Sequence, residues 1–298
     1  MLSKLIPKYV NYQDMEKLLS CLQEYAEIKF GRGKNLKIEP LMSIGGTLGI
    51  FFLLSTKDKK LFIKTHQNTQ ECKNNLNKEY DIMFALYSNI FYIENQCFIV
   101  NDSVYYCIIM DYLEQYTDEI NCSLSQSIID EYGRKLSKSF IERMNLKKIY
   151  TFFDVIDQSE KSLDYLKINN ILSSKVVKQC QNSLKRVKKD VNVNKFTICH
   201  GDLSSVNIMV YANKEILIDW EDTMLGPSNY DFYYWLTFFS QRKYYNRSYL
   251  ESIRNDLDNG KDLMIIILLV KSMLSHINKS YLKNTLSIEE RFDEVFEI

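Results

Sequence analysis

The stretch Phe196–Val210, FTICHGDLSSVNIMV, decides how this chain is read. An apolar tetrapeptide runs into His200-Gly201-Asp202, a short polar turn leads to Asn207, and a second apolar run follows. Polar groups that a turn does not need, set on a loop at the rim of a rigid scaffold, are commonly there for chemistry. Which chemistry depends on the rest of the chain.

The bulk numbers narrow the choice. With 298 residues, 46% of them apolar and 26% charged, the chain has the composition of an ordinary soluble globular protein with a sizeable core. The 38 basic residues balance 38 acidic ones, so no global field steers the protein to nucleic acid or to an anionic membrane, and neither is an expected partner. Seven widely spaced Cys without a C-x-x-C pair argue against a disulfide framework and against a zinc knuckle, and imply reduced thiols and a cytoplasmic location. The N-terminal residues show no continuous apolar segment of the secretory kind. The longest apolar run, Leu263 to Val270, is bracketed by Asp262 and Lys271 and is too short to span a bilayer, so it reads as a buried helix. His66, His200 and His276 are too scattered for a histidine-rich metal site.

Residues 37–65 alternate apolar runs with a glycine-rich turn and the polar turn KDKK, the pattern of an antiparallel meander. From about Glu71 to Ser88, Leu76, Tyr80, Met83, Phe84 and Tyr87 recur at helical spacing. Two further strand-like runs, FYIENQCFIV and SVYYCIIMDYL, are divided by a turn at Asn101 and Asp102. After Leu113, Leu124, Ile128, Tyr132, Leu136, Phe140 and Met144 mark a helix, more helical segments follow, and the opening stretch with EILIDWED reads as a short hairpin. The expected fold class is therefore α+β. Residues 1–113 form a small antiparallel sheet with one inserted helix, and residues 114–298 form a larger, mainly helical domain.

His200, Asp202 and Asn207 reproduce the H-x-D-x-x-x-x-N spacing in which an Asp accepts the proton of an attacking hydroxyl and an Asn holds magnesium. Asp219 closes the apolar strand EILI twelve residues after Asn207, comparable to a second magnesium-binding Asp. A triphosphate tail is strongly anionic, so hard oxygen ligands must fix metal ions across it before an alcohol can approach. HGDLSSVN, IDWE and GPSNYD with Trp235 resemble the aminoglycoside phosphotransferase and choline kinase superfamily, small-molecule kinases of two-lobe, protein-kinase-like fold.

That resemblance implies Asp202 as base, Asn207 and Asp219 as Mg2+ ligands, and His200 and Asp231 as supports of the loop. It implies ATP or GTP as donor and a small molecule with a hydroxyl group as acceptor. Glu221, two residues beyond Asp219 on the same side of an extended segment, is either a further metal ligand or a surface carboxylate. Upstream, Gly45, Gly46, Thr47 and Gly49 match the second half of a phosphate-covering glycine loop, and equally an ordinary tight hairpin. Lys64 resembles the phosphate-binding lysine and Glu79 its carboxylate partner, with Glu71 and Asp81 as rivals. Asp111, Tyr112 and Leu113 resemble the hinge whose backbone meets the base of the nucleotide.

Only six residues separate Asp219 from Gly226, which leaves no room for a peptide-docking activation segment and favours a small acceptor. Aromatics from Tyr230 to Phe239 suit a quaternary ammonium such as choline, or simply a core. The acidic tail Glu289, Glu290, Asp293, Glu294 and Glu297 suits a cationic sugar, or a solvated helix face. Two other classes compete with the enzyme: a catalytically silent nucleotide-binding regulatory module, and a metal-dependent phosphoesterase built on His200, Asp202, Asn207 and His276.

Overall fold

The computed structural model describes residues 12–31, 36–41, 50–67, 70–136, 140 and 150–298. The chain divides into two units, one of residues 1–117 with 206–222, the other of residues 118–205 with 223–298.

The first unit is built on a five-stranded sheet: β1 (Lys37–Leu41), β2 (Ile50–Ser55), β3 (Lys60–Gln67), β4 (Ile93–Val100) and β5 (Ser103–Asp111). Their spatial order is β1-β2-β3-β5-β4 and every pairing is antiparallel. Val100 faces Ser103 across the β4–β5 turn, and both turn residues, Asn101 (φ +48°) and Asp102 (φ +63°), are left-handed. Asn and Asp are the side chains that tolerate this conformation best, which is why the sequence marks the turn there.

Two helices flank the sheet, α1 (Tyr12–Phe30) and α2 (Gln70–Tyr87). The sequence reading anticipated only α2. On α1, Leu18, Leu22 and Ala26, four apart, pack against Phe52, Leu54, Leu61, Ile63, Cys107 and Ile109. Strand side chains alternate, so with Leu61 and Ile63 facing α1, Lys64 and His66 lie on the opposite face.

A second sheet completes this unit: β6 (Glu114–Gln115), β9 (Ile208–Tyr211) and β10 (Lys214–Leu217), in the order β10-β9-β6. The chain thus divides at 117/118, beside the expected 113/114, and residues 206–222 group with the first unit. Pairing of β6 with β9 and the hydrogen bond from the Tyr211 hydroxyl to Asp111 Oδ2 (3.1 Å) explain why.

The second unit contains α3 (Cys122–Lys135), β7 (Tyr150–Thr151), α4 (Phe152–Ile168), α5 (Ser174–Asp190), β8 (Phe196–Cys199), β11 (Met224–Pro227), α6 (Tyr230–Leu236), α7 (Arg247–Ile253), α8 (Leu257–Ile277) and α9 (Ile288–Glu297). Every residue from Leu263 to Val270 of α8 is buried, because α4, α5, α6 and α9 all pack on it. An all-round apolar helix is the expected centre of such a bundle. Capping side chains start the outer helices: the Asn121 carboxamide oxygen accepts from the Leu124 N–H (2.9 Å), and Ser287 and Glu290 form a capping box on α9. The small sheet β7-β11-β8 was not anticipated. It separates the two apolar runs of the opening stretch, since β8 pairs with β11 while β9 pairs with β10.

No described helix is long and apolar enough to cross a membrane.

Candidate active site

In the first unit the site gathers around Lys64, whose place on β3 turns it away from α1. Its ammonium donates to Glu79 Oε2 of α2 at 2.6 Å and to Asp219 Oδ1 at 3.0 Å, and lies 2.6 Å from Glu221 Oε1. The sequence reading assigned Lys64 to Glu79 over two rivals, and the structure brings these two together. Asp81 is half-buried on α2, while the Glu71 side chain lies outside the described residues.

Glu79, Asp219 and Glu221 each offer an oxygen within 4.8 Å of the others. Burial opposes the Lys64 charge, yet Asp219, Glu221 and Glu79 outweigh it and hold its pKa well above the usual lysine value. Burial pushes the Glu79 carboxyl up to about 7, against the pull of Lys64. Burial would raise Glu221 as well, but Lys64 and His66 prevail and hold it well below the ordinary carboxylate range.

His66 and Lys78 were not singled out from the sequence. His66, two residues beyond Lys64 on the same strand face, contacts Glu221 Oε1 at 3.1 Å through Nε2. Lys78 is buried beside Glu79 and donates to the Glu221 backbone carbonyl. Period two from Lys64 was the available signal for His66; nothing local marked Lys78. Glu221 is therefore buried and held from three sides, which removes the surface-carboxylate alternative.

Asn207 and Asp219 sit at the same end of the β9–β10 hairpin. Ile208 pairs with Leu217, and the Ile218 N–H donates to the Asn207 carbonyl at 2.9 Å, so the next residue, Asp219, begins beside Asn207. Asp219 has φ +66°, a left-handed conformation that Asp accepts more readily than most side chains. Such conformations concentrate where a side chain must be aimed.

Of the expected hinge residues, Asp111 and Leu113 are buried and Tyr112 is exposed. The Asp111 N–H donates to the Tyr92 carbonyl and the Tyr112 N–H to the Lys60 carbonyl, both at 2.9 Å, so neither amide is open to a nucleotide base. Gly45, Gly46, Thr47 and Gly49 lie outside the described residues.

The second unit carries the His-Gly-Asp turn. Asp231, 1% exposed at the start of α6, accepts from the His200 N–H (2.7 Å), the Gly201 N–H (2.9 Å) and the Tyr132 hydroxyl. Burial raises the Asp231 pKa against the opposing effects of His200, Tyr132 and those two amides. Gly201, at φ +86°, makes the turn that delivers both N–H groups to one carboxylate. The Asp202 N–H donates to His200 Nδ1 (3.2 Å), and the Asp202 Oδ1 accepts from the Tyr234 hydroxyl (2.7 Å).

Across nearly the whole chain, the fold is that of the aminoglycoside phosphotransferases. A thermostable mutant of aminoglycoside phosphotransferase APH(4)-Ia, in ternary complex with ADP and hygromycin B, is 14% identical with a TM-score of 0.61 over 93% of this chain and 98% of that one. Spectinomycin phosphotransferase APH(9)-Ia, in complex with ADP and spectinomycin, is 12% identical with a TM-score of 0.57 over 93% of each chain. The GDP complex of a mutant aminoglycoside 2'-phosphotransferase is 14% identical with a TM-score of 0.56 over 94% of this chain and 95% of that one.

Residues 175–260 also match the model of the phosphotransferase enzyme family. The fold and this match over residues 175–260 agree with the resemblance read from the sequence. No curated protein sequence matches significantly.

Proposed function

We propose that the protein is a Mg2+-dependent phosphotransferase that moves the terminal phosphoryl group of ATP or GTP to a hydroxyl of a small molecule in the cytoplasm. The observation that carries this reading is the buried Lys64, bonded to Glu79 at 2.6 Å and to Asp219 at 3.0 Å. A lysine fixed by a helix carboxylate and aimed at a second carboxylate is what recognition of a metal-bound triphosphate requires.

The donor set suits Mg2+, since the carboxamide oxygen of Asn207 and the carboxylate of Asp219 are hard ligands on adjacent chain segments. Asp219, with a side chain 22% exposed, is more open than Glu79 (3%) or Glu221 (10%). Asn207 and Asp219 would hold the ion, while Glu221 balances the charge of Lys64. When bound, Mg2+ neutralises and orients the phosphate oxygens.

Lys64 contacts those oxygens directly. Asp202 takes the proton of the alcohol as its oxygen bonds to the terminal phosphorus, the bond to the bridging oxygen breaks, and the nucleoside diphosphate leaves. His200 and Asp231 keep the Asp202 turn in shape, and the backbone carbonyls of the hinge with the Leu113 amide would meet the base of the nucleotide.

The acceptor candidates are choline- or ethanolamine-like alcohols, sugars or amino sugars, and aminoglycosides. All seven residues of α6 are buried, which favours the core reading of its aromatics over a choline cage. In the acidic tail, Glu289 accepts from the Ser173 N–H, Glu290 caps α9, and Glu294 pairs with Arg242, so these three are engaged within the protein. The two remaining acids, Asp293 and Glu297, are a weak attractor for a polycation.

A coupled assay of nucleoside diphosphate release across choline, ethanolamine, simple sugars, amino sugars, hygromycin B and spectinomycin tests the proposal, with Asp202→Ala as control. The expected result is acceptor-dependent turnover that Asp202→Ala abolishes while MgATP still binds. Nucleotide binding without turnover for any alcohol would refute it.

A further inference from the structure

A polar chain leads away from Asp202 into the second unit, and the phosphoryl-transfer scheme above does not use it. The Tyr234 hydroxyl donates to Asp202 Oδ1 at 2.7 Å. The ring of Tyr234 is held from behind by Lys271 of α8, whose ammonium lies 3.6 Å from the centroids of both Tyr234 and Phe238. The same ammonium donates to Thr237 Oγ1 (2.8 Å) and approaches the Tyr234 carbonyl at 3.3 Å. Arg291 of α9 donates to the Thr237 carbonyl at 2.8 Å, so Lys271 and Arg291 both fasten the last turn of α6.

A tyrosine that only packs needs an acceptor for its hydroxyl and no cation on its ring. Here a lysine is drawn among aromatic rings, where desolvation disfavours its charge. Burial pushes the Lys271 pKa well down, opposed by the charge of Asp202 and assisted by that of Arg291. The Lys271 nitrogen packed on the ring face fixes the direction in which the Tyr234 hydroxyl meets Asp202.

Resting on the assignment of Asp202 as base, we propose that Tyr234, seated on Lys271, is the positioning residue that aims Asp202. With Oδ1 engaged by the phenol, the carboxylate is fixed in the orientation that receives the alcohol's proton. Among the groups that bear on Asp202 in this unit are Tyr234 of α6, Lys271 of α8 with Arg291 of α9 behind it, and His200 on its own turn.

Tyr234→Phe keeps the ring stack and removes only the donor. In the full-length protein with MgATP, and water as the phosphoryl acceptor, kcat should fall about tenfold while the KM for MgATP stays within about twofold. The donor favours the ionised carboxylate, so its loss should move the acid limb of kcat upward by about half a pH unit or more. Lys271→Met should shift both quantities in the same direction by less.

The carboxyl 13C resonance of Asp202, assigned by its disappearance in Asp202→Asn, reads the same upward shift without turnover. An unmoved Asp202 midpoint in Tyr234→Phe, by either readout, overturns the proposal. If Asp202→Ala turns over as fast as the wild type, the base assignment falls and this inference with it. If Asp202→Ala is inactive while Tyr234→Phe matches the wild type, only this inference falls.

Discussion

Replacing Lys64 by methionine withdraws one charge from the middle of three carboxylates and keeps most of the side chain's apolar bulk. The ammonium stands 2.6 Å from Glu79, 3.0 Å from Asp219 and 2.6 Å from Glu221. At an effective dielectric of about 20, those three attractions amount to roughly 18 kcal/mol before desolvation is counted. The carboxylates, within 4.8 Å of one another, repel by roughly 10 kcal/mol on the same scale. Lys64 therefore holds the cluster together, and without it the cluster relieves itself by binding a proton.

Glu79 is the natural acceptor, since burial already puts it at about 7 with Lys64 present. Losing one partner of a buried ion pair costs about 3–5 kcal/mol, and that full loss is expected at pH 8. A carboxyl with its folded pKa raised above the unfolded value stabilises the fold at low pH, and this contribution is lost as pH rises through the folded value. The deficit of the variant relative to wild type should thus shrink between pH 8 and pH 5. Urea denaturation followed by Trp220, the tryptophan of the first unit, in a Trp235→Phe background reads it directly. An equal deficit at both pH values, or no deficit at all, would refute the reasoning.

Three further outcomes follow from the same geometry. Asp231→Asn turns one acceptor oxygen into a donor facing the His200 and Gly201 amides, so Trp235 fluorescence should report a loss of about 1–3 kcal/mol; an unchanged urea midpoint would contradict this. Gly260→Ala places a Cβ 1.9 Å from Tyr233 Cζ, an overlap with a packed ring that should cost about 1–3 kcal/mol in the same assay, whereas a stabilised variant would show that the ring yields freely. Asp219→Ala should melt below Asp219→Asn, because Asn tolerates φ +66° and Ala does not; the reverse order in thermal melts would sink that argument, while both variants should lose MgATP-dependent turnover.

Much of the fold was legible because its signals are local. The meander, the turn at Asn101 and Asp102 and the apolar α8 follow from periodicity and turn chemistry alone. Helix α1, whose stripe is Leu18, Leu22 and Ala26, was not anticipated. The small sheet of the second unit was hidden since β7 and β11 are two and four residues long, too short for alternation to register. The pairing of the 206–222 hairpin with β6 was hidden because sequence neighbours do not reveal a partner two residues long. At the candidate site, the motif spacing pointed to His200, Asp202 and Asn207, and period two from Lys64 marked His66, whereas Lys78, Tyr234 and Lys271 make their contacts many residues away and carry no spacing that marks them.

The charge arrangements of the two units are complementary in kind, and this bears on the chemistry. In the first, a lysine is surrounded by carboxylates, so an arriving anion finds a cation whose charge is secured and hard oxygens beside it. In the second, the Asp202 carboxylate accepts from the Tyr234 phenol, whose ring faces the Lys271 nitrogen. A silent nucleotide-binding module would need only the first arrangement. Tyr234 and Lys271 bear on Asp202, and drawing Lys271 among aromatic rings works against stability unless the position of Asp202 matters. Their presence therefore argues for transfer over mere binding, and the Asp202 midpoint in Tyr234→Phe is where that argument meets measurement.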